Sequence, residues 1–95
     1  MKCERVLFSG HAIQRMFERG VGRDAVNAVI SSGETVAEYP DDKPYPSRLL
    51  LGFVEGRPIH VVVAWDGGTG TCIIVTAYEP QPGQWEQGFT KRREA

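Results

Sequence analysis

The chain has 95 residues, which is enough for one hydrophobic core and too few for two. Its 41% hydrophobic and 24% charged residues are typical of a folded globular protein, and no apolar run approaches the roughly 20 residues that span a bilayer. The net charge of −1 lacks the basic excess on which non-specific nucleic-acid binding depends. We therefore expect a single cytoplasmic domain over residues 1–95, with its core within about 3–85 and a tail over 86–95 that frays.

The first predicted element is a short amphipathic helix that ends at about Arg19. Ser9 is a good N-cap residue, and Gly20 is placed to end the helix in the left-handed conformation. Apolar side chains recur every three to four residues and predict one buried face. That face consists of Ala12, Ile13, Met16 and Phe17.

A second helix is predicted directly after the first. Asp24 suits its first turn, an apolar stripe runs from Ala25 to Ile30, and Gly33 is expected to end it as a left-handed cap. Because only a tight turn separates the two helices, they form a helical hairpin.

After Gly33 the hydrophobic period changes to that of strands. Residues 34–39, 47–54, 59–65 and 71–78 read as strands, and residues 4–8 as a short strand or an extended lead-in. Three prolines make residues 40–46 a loop, and turns fall at 55–58 and 66–70. The prediction is an α+β fold, in which the N-terminal helical hairpin packs on an antiparallel sheet of about four strands.

The two cysteines, Cys3 and Cys72, can pair only if two strands bring them together, and a reducing cytosol would keep them as buried thiols. With His11 and His60 they lack the close ligand pairs of a zinc site. We therefore predict no metal and no cofactor.

Histidine and arginine side chains suggest a site for an anion. Imidazole groups titrate near neutral pH and suit acid–base catalysis, whereas guanidinium groups bind phosphate in a bidentate manner. The candidate catalytic residues are His11, His60 and Tyr78. The candidate substrate-binding residues are Arg15, Arg19, Arg48 and Thr76. Together they would bind or cleave an anionic ligand, provided that the helix and the later strands bring them to one pocket.

Each candidate also has a structural interpretation, which the sequence leaves open. His11 can cap its helix, Arg15 can pair with a surface glutamate, and Arg19 can bond the last carbonyls of its helix. The strand residues have similar alternatives. Arg48 can tie down the proline loop, His60 can be a half-buried sheet residue, Thr76 a simple strand former, and Tyr78 a packing residue at the rim.

The order of four short motifs resembles the family known as domain of unknown function 4258. The motifs are His11-Ala12-x-x-Arg15-Met16-x-x-Arg19-Gly20, Arg48-Leu49-Leu50, Gly56-Arg57-Pro58-Ile59-His60-Val61-Val62 and Val75-Thr76-Ala77-Tyr78. The resemblance covers about Cys3 to Trp85, nearly the whole chain.

The order of elements in that family is similar to the RelE/ParE-type toxin superfamily. The resemblance implies a RelE-like metal-free endoribonuclease that acts on mRNA, with a YgiT-type (MqsA-like) zinc-finger protein as antitoxin and RNA as a further partner. In RelE-like toxins the active residues lie on the sheet face and last strands, where Arg48, His60, Thr76 and Tyr78 fall here. The pI of about 6.1 departs from the strongly basic toxins that cut on the ribosome. The alternative is a non-catalytic module that binds a protein or an anion, and a homodimer stays open.

Overall fold

The structure, a computed structural model that describes residues 2–92, has an α+β fold in which two helices cover one face of a five-stranded sheet. The elements in chain order are β1 (Arg5–Phe8), α1 (Gly10–Arg19), α2 (Arg23–Ser32), β2 (Glu34–Tyr39), β3 (Ser47–Val54), β4 (Arg57–Asp66) and β5 (Thr71–Tyr78). The α+β class and the helical hairpin predicted from the sequence are confirmed.

The ends of α1 follow from two residues that the sequence analysis singled out. The Ser9 side chain accepts a hydrogen bond from the backbone N–H of Ala12 at 3.0 Å, which satisfies one free donor of the first turn. Gly20 is left-handed, with φ 67°, and its N–H returns to carbonyls of the last turn. Both predicted helix ends are confirmed.

The buried face of α1 is narrower than predicted. Ala12 and Met16 are buried, but Ile13 is 38% exposed and Phe17 is 85% exposed. The helix packs on β5 through the row of residues four apart, and positions 13 and 17 lie about 100° further round the helix. The prediction that Ile13 and Phe17 are buried is therefore wrong.

Helix α2 buries Val26, Val29 and Ile30 against β3 and β4. The prediction of a left-handed cap at Gly33 is wrong, since this residue is extended, with φ −72° and ψ 161°. A glycine is needed at position 33 for a different reason. A Cβ at Gly33 would lie 2.5 Å from the Val29 carbonyl oxygen and 2.8 Å from that of Leu51, so the backbone passes too close for a side chain.

The sheet has five strands in the order β1-β5-β4-β3-β2, which corrects the expected antiparallel sheet of about four. Strand β1 pairs in parallel with β5, whereas the other neighbours are antiparallel. The two helices carry the chain across the sheet face between its two edge strands. The parallel neighbours β1 and β5 are therefore joined through the helices and the other three strands, whereas a short hairpin joins only antiparallel neighbours.

Both predicted hairpin turns are present, but the first is shorter than the predicted 55–58 because Arg57 and Pro58 already belong to β4. Glu55 and Gly56 alone separate β3 from β4. Their φ values of 53° and 78° fit a two-residue hairpin turn whose backbone twist matches the right-handed twist of the strands. In the second turn the Asp66 carboxylate accepts hydrogen bonds from the Gly68 N–H and the Thr69 hydroxyl.

Cys3 and Cys72 form a disulfide, the paired arrangement that needs two strands to bring the cysteines together. Parallel pairing sets Val6 beside Cys72, so the residues just before β1 reach the start of β5. The two Cα atoms are 5.7 Å apart, within the usual range for a disulfide. The bond joins the N-terminal strand to the sheet core, in which Cys72 is fully buried.

The end of the chain folds over the sheet face that the helices leave open. Trp85 is 8% exposed and pairs with Arg92 in a short antiparallel bridge. The Glu86 N–H donates to the Lys91 carbonyl at 2.8 Å, which closes a small loop. The expected frayed tail over 86–95 thus has contacts as far as Arg92, and residues 93–95 lie outside the described residues.

We predict that Gly33→Ala destabilises the protein by about 1–3 kcal/mol, because the new methyl group meets two backbone oxygens that cannot move independently. Urea unfolding measures the change. Gly10→Ala is the matched control, since no atom lies within 4 Å of a Cβ there. Equal stabilities for the two variants would contradict the close approach at Gly33.

We predict that reduction of the disulfide lowers the free energy of unfolding by about 4 kcal/mol, because it closes a loop over a sequence separation of 69. Thermal melts with and without reductant measure this, and Cys3→Ser should reproduce the reduced protein without reductant. A thiol assay that finds two free thiols in the unreduced, denatured protein would contradict the pairing.

Candidate functional site

A bulge in β5 decides which side chains reach the sheet face opposite the helices. Val62 pairs with Thr76 and Val63 with Ile74, so Val75 is an extra residue between two successive pairs. Before the bulge the buried apolar residues of β5 are Cys72 and Ile74, and after it Ala77. Thr76 and Tyr78 therefore leave the helix-covered core.

His60 lies beside Tyr78, its partner in the β4–β5 register, and is fully buried beneath the tail. Its Nε2 atom is 2.9 Å from the Phe89 carbonyl oxygen, and its Nδ1 atom is 3.4 Å from the Tyr78 hydroxyl. Trp85 packs edge-on against the imidazole, with ring centroids 4.5 Å apart. Burial of His60 corresponds more closely to the structural alternative than to an exposed acid or base.

The hydrogen bonds of His60 fix its tautomer. A carbonyl oxygen only accepts, so Nε2 carries the hydrogen and donates to Phe89. Nδ1 is then an acceptor, and the Tyr78 hydroxyl donates to it. The imidazole is thus a hydrogen-bond acceptor for the Tyr78 hydroxyl.

Burial shifts both ionisation equilibria toward the neutral forms. Removal from water lowers the pKa of His60, and the hydrogen bond to Phe89 opposes this only in part. Burial also raises the pKa of Tyr78, helped by Tyr39 and opposed by Arg92 and Arg19. His60 and Tyr78 are therefore a neutral hydrogen-bonded pair at neutral pH.

Arg19, the last residue of α1, reaches the part of β5 beyond its last pair with β1. Its Nη1 atom donates to the Thr76 hydroxyl at 3.0 Å and to the Ala77 carbonyl at 3.2 Å. Its guanidinium carbon is 5.8 Å from the centre of the Tyr78 ring. The Nε and Nη2 hydrogens, three donors in all, have no protein partner among residues 2–92.

Arg57 is a neighbour of Arg19 that the sequence analysis did not include among the site residues. Its Nη1 and Nη2 atoms donate to the carbonyls of Gly20 and Arg19 at 3.0 and 3.3 Å, and its Nε atom forms an ion pair with Glu79. Its sequence signals were its place in a predicted turn and in the motif that runs from Gly56 to Val62. Nothing local indicated that the turn lies against the end of α1.

These residues line a cleft of about 780 Å³ at the end of β5. Its lining comprises Arg19, Arg57, Tyr78, Glu79, Pro80, Gln81, Pro82 and Gln84. The cleft therefore joins two guanidinium groups, a phenol and one carboxylate, and His60 lies behind the phenol.

The other candidates lie elsewhere. His11 and Arg15 are exposed on α1, and His11 is eight residues from Arg19, which is about 12 Å along a helix axis. The Nη2 atom of Arg48 is 3.8 Å from Oε1 of Glu38, and Arg48 lines a separate small cavity beside the proline loop. The structure thus brings together Arg19, Thr76, His60 and Tyr78, and leaves His11, Arg15 and Arg48 outside that cluster.

The cluster has the chemistry of an anion site with a proton acceptor behind it. Arg19 presents free donors, and the Tyr78 hydroxyl can exchange a proton with Nδ1 of His60. Within residues 2–92 no three histidine, cysteine or acidic side chains are grouped so as to hold a metal ion.

Comparison with known proteins gives one family. The family model described as "Domain of unknown function (DUF4258)" matches residues 8–79, which is well over half of the chain. No curated protein and no solved structure matches significantly. Neither helix of the described chain has the length and apolar character of a membrane span.

We predict that the protein loses stability as the pH falls below about 6.5, since the pKa of His60 is lowered from 6.5 and the unfolded chain then binds more protons than the folded one. At pH values well above 6.5, neutral His60 makes its full contribution to the free energy of unfolding. Urea unfolding between about pH 8 and about pH 5 measures the slope. His60→Gln should flatten it, and the matched variant His11→Gln should keep it. An unchanged slope in His60→Gln would contradict the buried neutral imidazole.

Proposed function

Because the chain belongs to the DUF4258 family, whose description states no activity, we propose its function from the site. We propose that it is a metal-free endoribonuclease that acts on mRNA, the toxin of a toxin–antitoxin pair with a RelE-like fold. The observation that carries the proposal is one cleft in which Arg19 offers free donors beside Tyr78, whose hydroxyl is bonded to a buried neutral imidazole.

Arg19 would bind the scissile phosphate. Its Nη1 edge is held by Thr76 and Ala77, so the guanidinium loses little freedom when a ligand binds. The remaining Nε and Nη2 donors form the edge that matches two phosphate oxygens. The same contacts would stabilise the charge that builds on those oxygens in the transition state.

Tyr78 and His60 would move the proton. The ribose 2′-hydroxyl gives its proton to the Tyr78 oxygen as Tyr78 passes its own to Nδ1 of His60. The 2′-oxygen attacks phosphorus, the bond to the 5′-oxygen breaks, and water protonates that oxygen. The products are a 2′,3′-cyclic phosphate and a 5′-hydroxyl. Tyr78 is then the catalytic residue, and His60 acts through it.

A ligand of this basic, exposed cleft should be acidic, and a protein that inhibits the cleft should cover it. The resemblance suggests a YgiT-type zinc-finger antitoxin in this role, and mRNA as the competing ligand. Arg19 lies at an exposed helix end, where a partner protein can reach it. This proposal requires the cytoplasm, where mRNA is translated, and therefore a Cys3–Cys72 disulfide that withstands the reducing cytosol.

A second candidate function is a non-catalytic module that binds an anion or a protein. It is favoured by the full burial of His60, whose two ring nitrogens are both engaged. In that interpretation the imidazole supports the tail and Tyr78, and the cleft binds phosphate without cleaving RNA.

Cleavage of an RNA oligonucleotide by the purified protein in a chelator tests the proposal. We predict cyclic phosphate ends for the wild type and a loss of roughly a hundredfold in rate for Arg19→Gln and for Tyr78→Phe. Arg5→Gln and Tyr45→Phe are matched controls on other parts of the surface and should retain activity. The wild type expressed alone should arrest growth, and Arg19→Gln should not.

The two functions give different results. An RNA that binds through Arg19 but stays intact, with no arrest of growth, would overturn the nuclease and support the binding module. Equal activity of Arg19→Gln and Arg5→Gln would overturn the assignment of the cleft.

A further inference from the structure

Arg57 is held in the cleft by backbone atoms. Two of its terminal N–H groups donate to the carbonyls of Arg19 and Gly20, at the C-terminal end of α1, where carbonyls lack helical partners. These bonds do not involve the third partner, Glu79. The guanidinium of Arg57 would therefore keep its place if the Glu79 carboxylate moved away.

The pair between Arg57 and Glu79 is open to water. The two side chains are 40% and 47% exposed, and ion pairs of this kind contribute little to stability because water solvates the separated charges. Glu79 directly follows β5 and precedes Pro80 in the wall of the cleft. A stronger anion can thus replace its carboxylate at a small cost.

Among residues 2–92, Glu79 is the one acidic residue that lines this cleft, and the rest of the lining consists of two arginines, Tyr78, prolines and glutamines. Without the carboxylate, the cleft would present two guanidinium groups, each anchored by backbone carbonyls. Two fixed cations in one open cleft suit a ligand with two neighbouring negative charges.

We propose that Arg57 is a second phosphate subsite beside Arg19, and that Glu79 is its internal counter-ion in the ligand-free protein. The ligand is a chain with successive phosphodiesters. This inference rests on the proposed function: the phosphate at Arg19 is the scissile one. The next phosphate along the same RNA strand displaces Glu79 from Arg57. Glu79 thereby selects against ligands with a single phosphate, which do not replace it.

Calorimetric titration with two thymidine dinucleotides tests the subsite, since neither has the 2′-hydroxyl needed for cleavage. One carries a 5′-phosphate and thus two phosphates, and the other has only the internal one. We expect the wild type to bind the two-phosphate probe roughly tenfold more tightly. Arg57→Gln should abolish this difference and leave the one-phosphate probe unaffected, whereas Arg19→Gln should weaken both.

Glu79→Gln should tighten the two-phosphate probe by about twofold to fivefold, since the ion pair no longer competes. The matched control is Glu86→Gln, which removes the same charge from an exposed pair with Lys91 in the tail. Glutamine can still accept from Nε of Arg57, so the end of α1 stays anchored. Circular dichroism shows whether Arg57→Gln is folded. If it is unfolded, the comparison of Glu79→Gln with Glu86→Gln tests the subsite on its own.

Equal effects of Glu79→Gln and Glu86→Gln would overturn the subsite, as would an unchanged probe preference in folded Arg57→Gln. Its failure is separable from that of the nuclease. RNA cleavage that depends on Arg19 but not on Arg57 or Glu79 leaves the nuclease standing without the subsite. A probe preference that depends on Arg57, in a protein that leaves RNA intact, leaves the subsite standing without the nuclease.

Discussion

One extra residue in β5 determines the candidate site. Side chains alternate between the faces of a regular strand, so without the bulge Thr76 and Tyr78 would point into the core on the same face as Ile74. The bulge places Ala77 in the core instead, where α1 packs, and turns Tyr78 toward His60. The same stretch of β5 then receives Arg19 from the end of α1. Helix, bulge and tail thus meet at one end of the sheet.

Local sequence signals predicted the elements but only part of their arrangement. Ser9, Gly20 and the Glu55-Gly56 turn act within a few residues, and all three were identified. The parallel pairing of β1, the disulfide and the close approach at Gly33 depend on residues far along the chain, which spacing does not reveal. The exposure of Phe17 was missed because helical periodicity gives a face but not the width of its contact.

The candidate site was predictable to the same extent. Arg19, Thr76, His60 and Tyr78 were chosen for their chemistry, and the register of β4 and β5 brings the strand residues together. Arg48 was chosen on the same grounds but lies beside Glu38 near the proline loop. Arg57 lies in one of the four motifs, but its position in the cleft comes from contacts with the end of α1, which the motif does not reveal. A short list of polar residues therefore becomes a site only through the pairing of distant strands.

The most direct test follows the side-chain signals of arginine and tyrosine by NMR while an uncleavable 2′-O-methyl RNA oligonucleotide is added. If the cleft at the end of β5 is the site, the Nε–H signal of Arg19 and the ring signals of Tyr78 shift with the RNA, and those of Arg15 and Arg48 stay in place. Shifts confined to Arg15 or Arg48, or none at Arg19, would contradict a functional cleft built on Arg19, Tyr78 and His60.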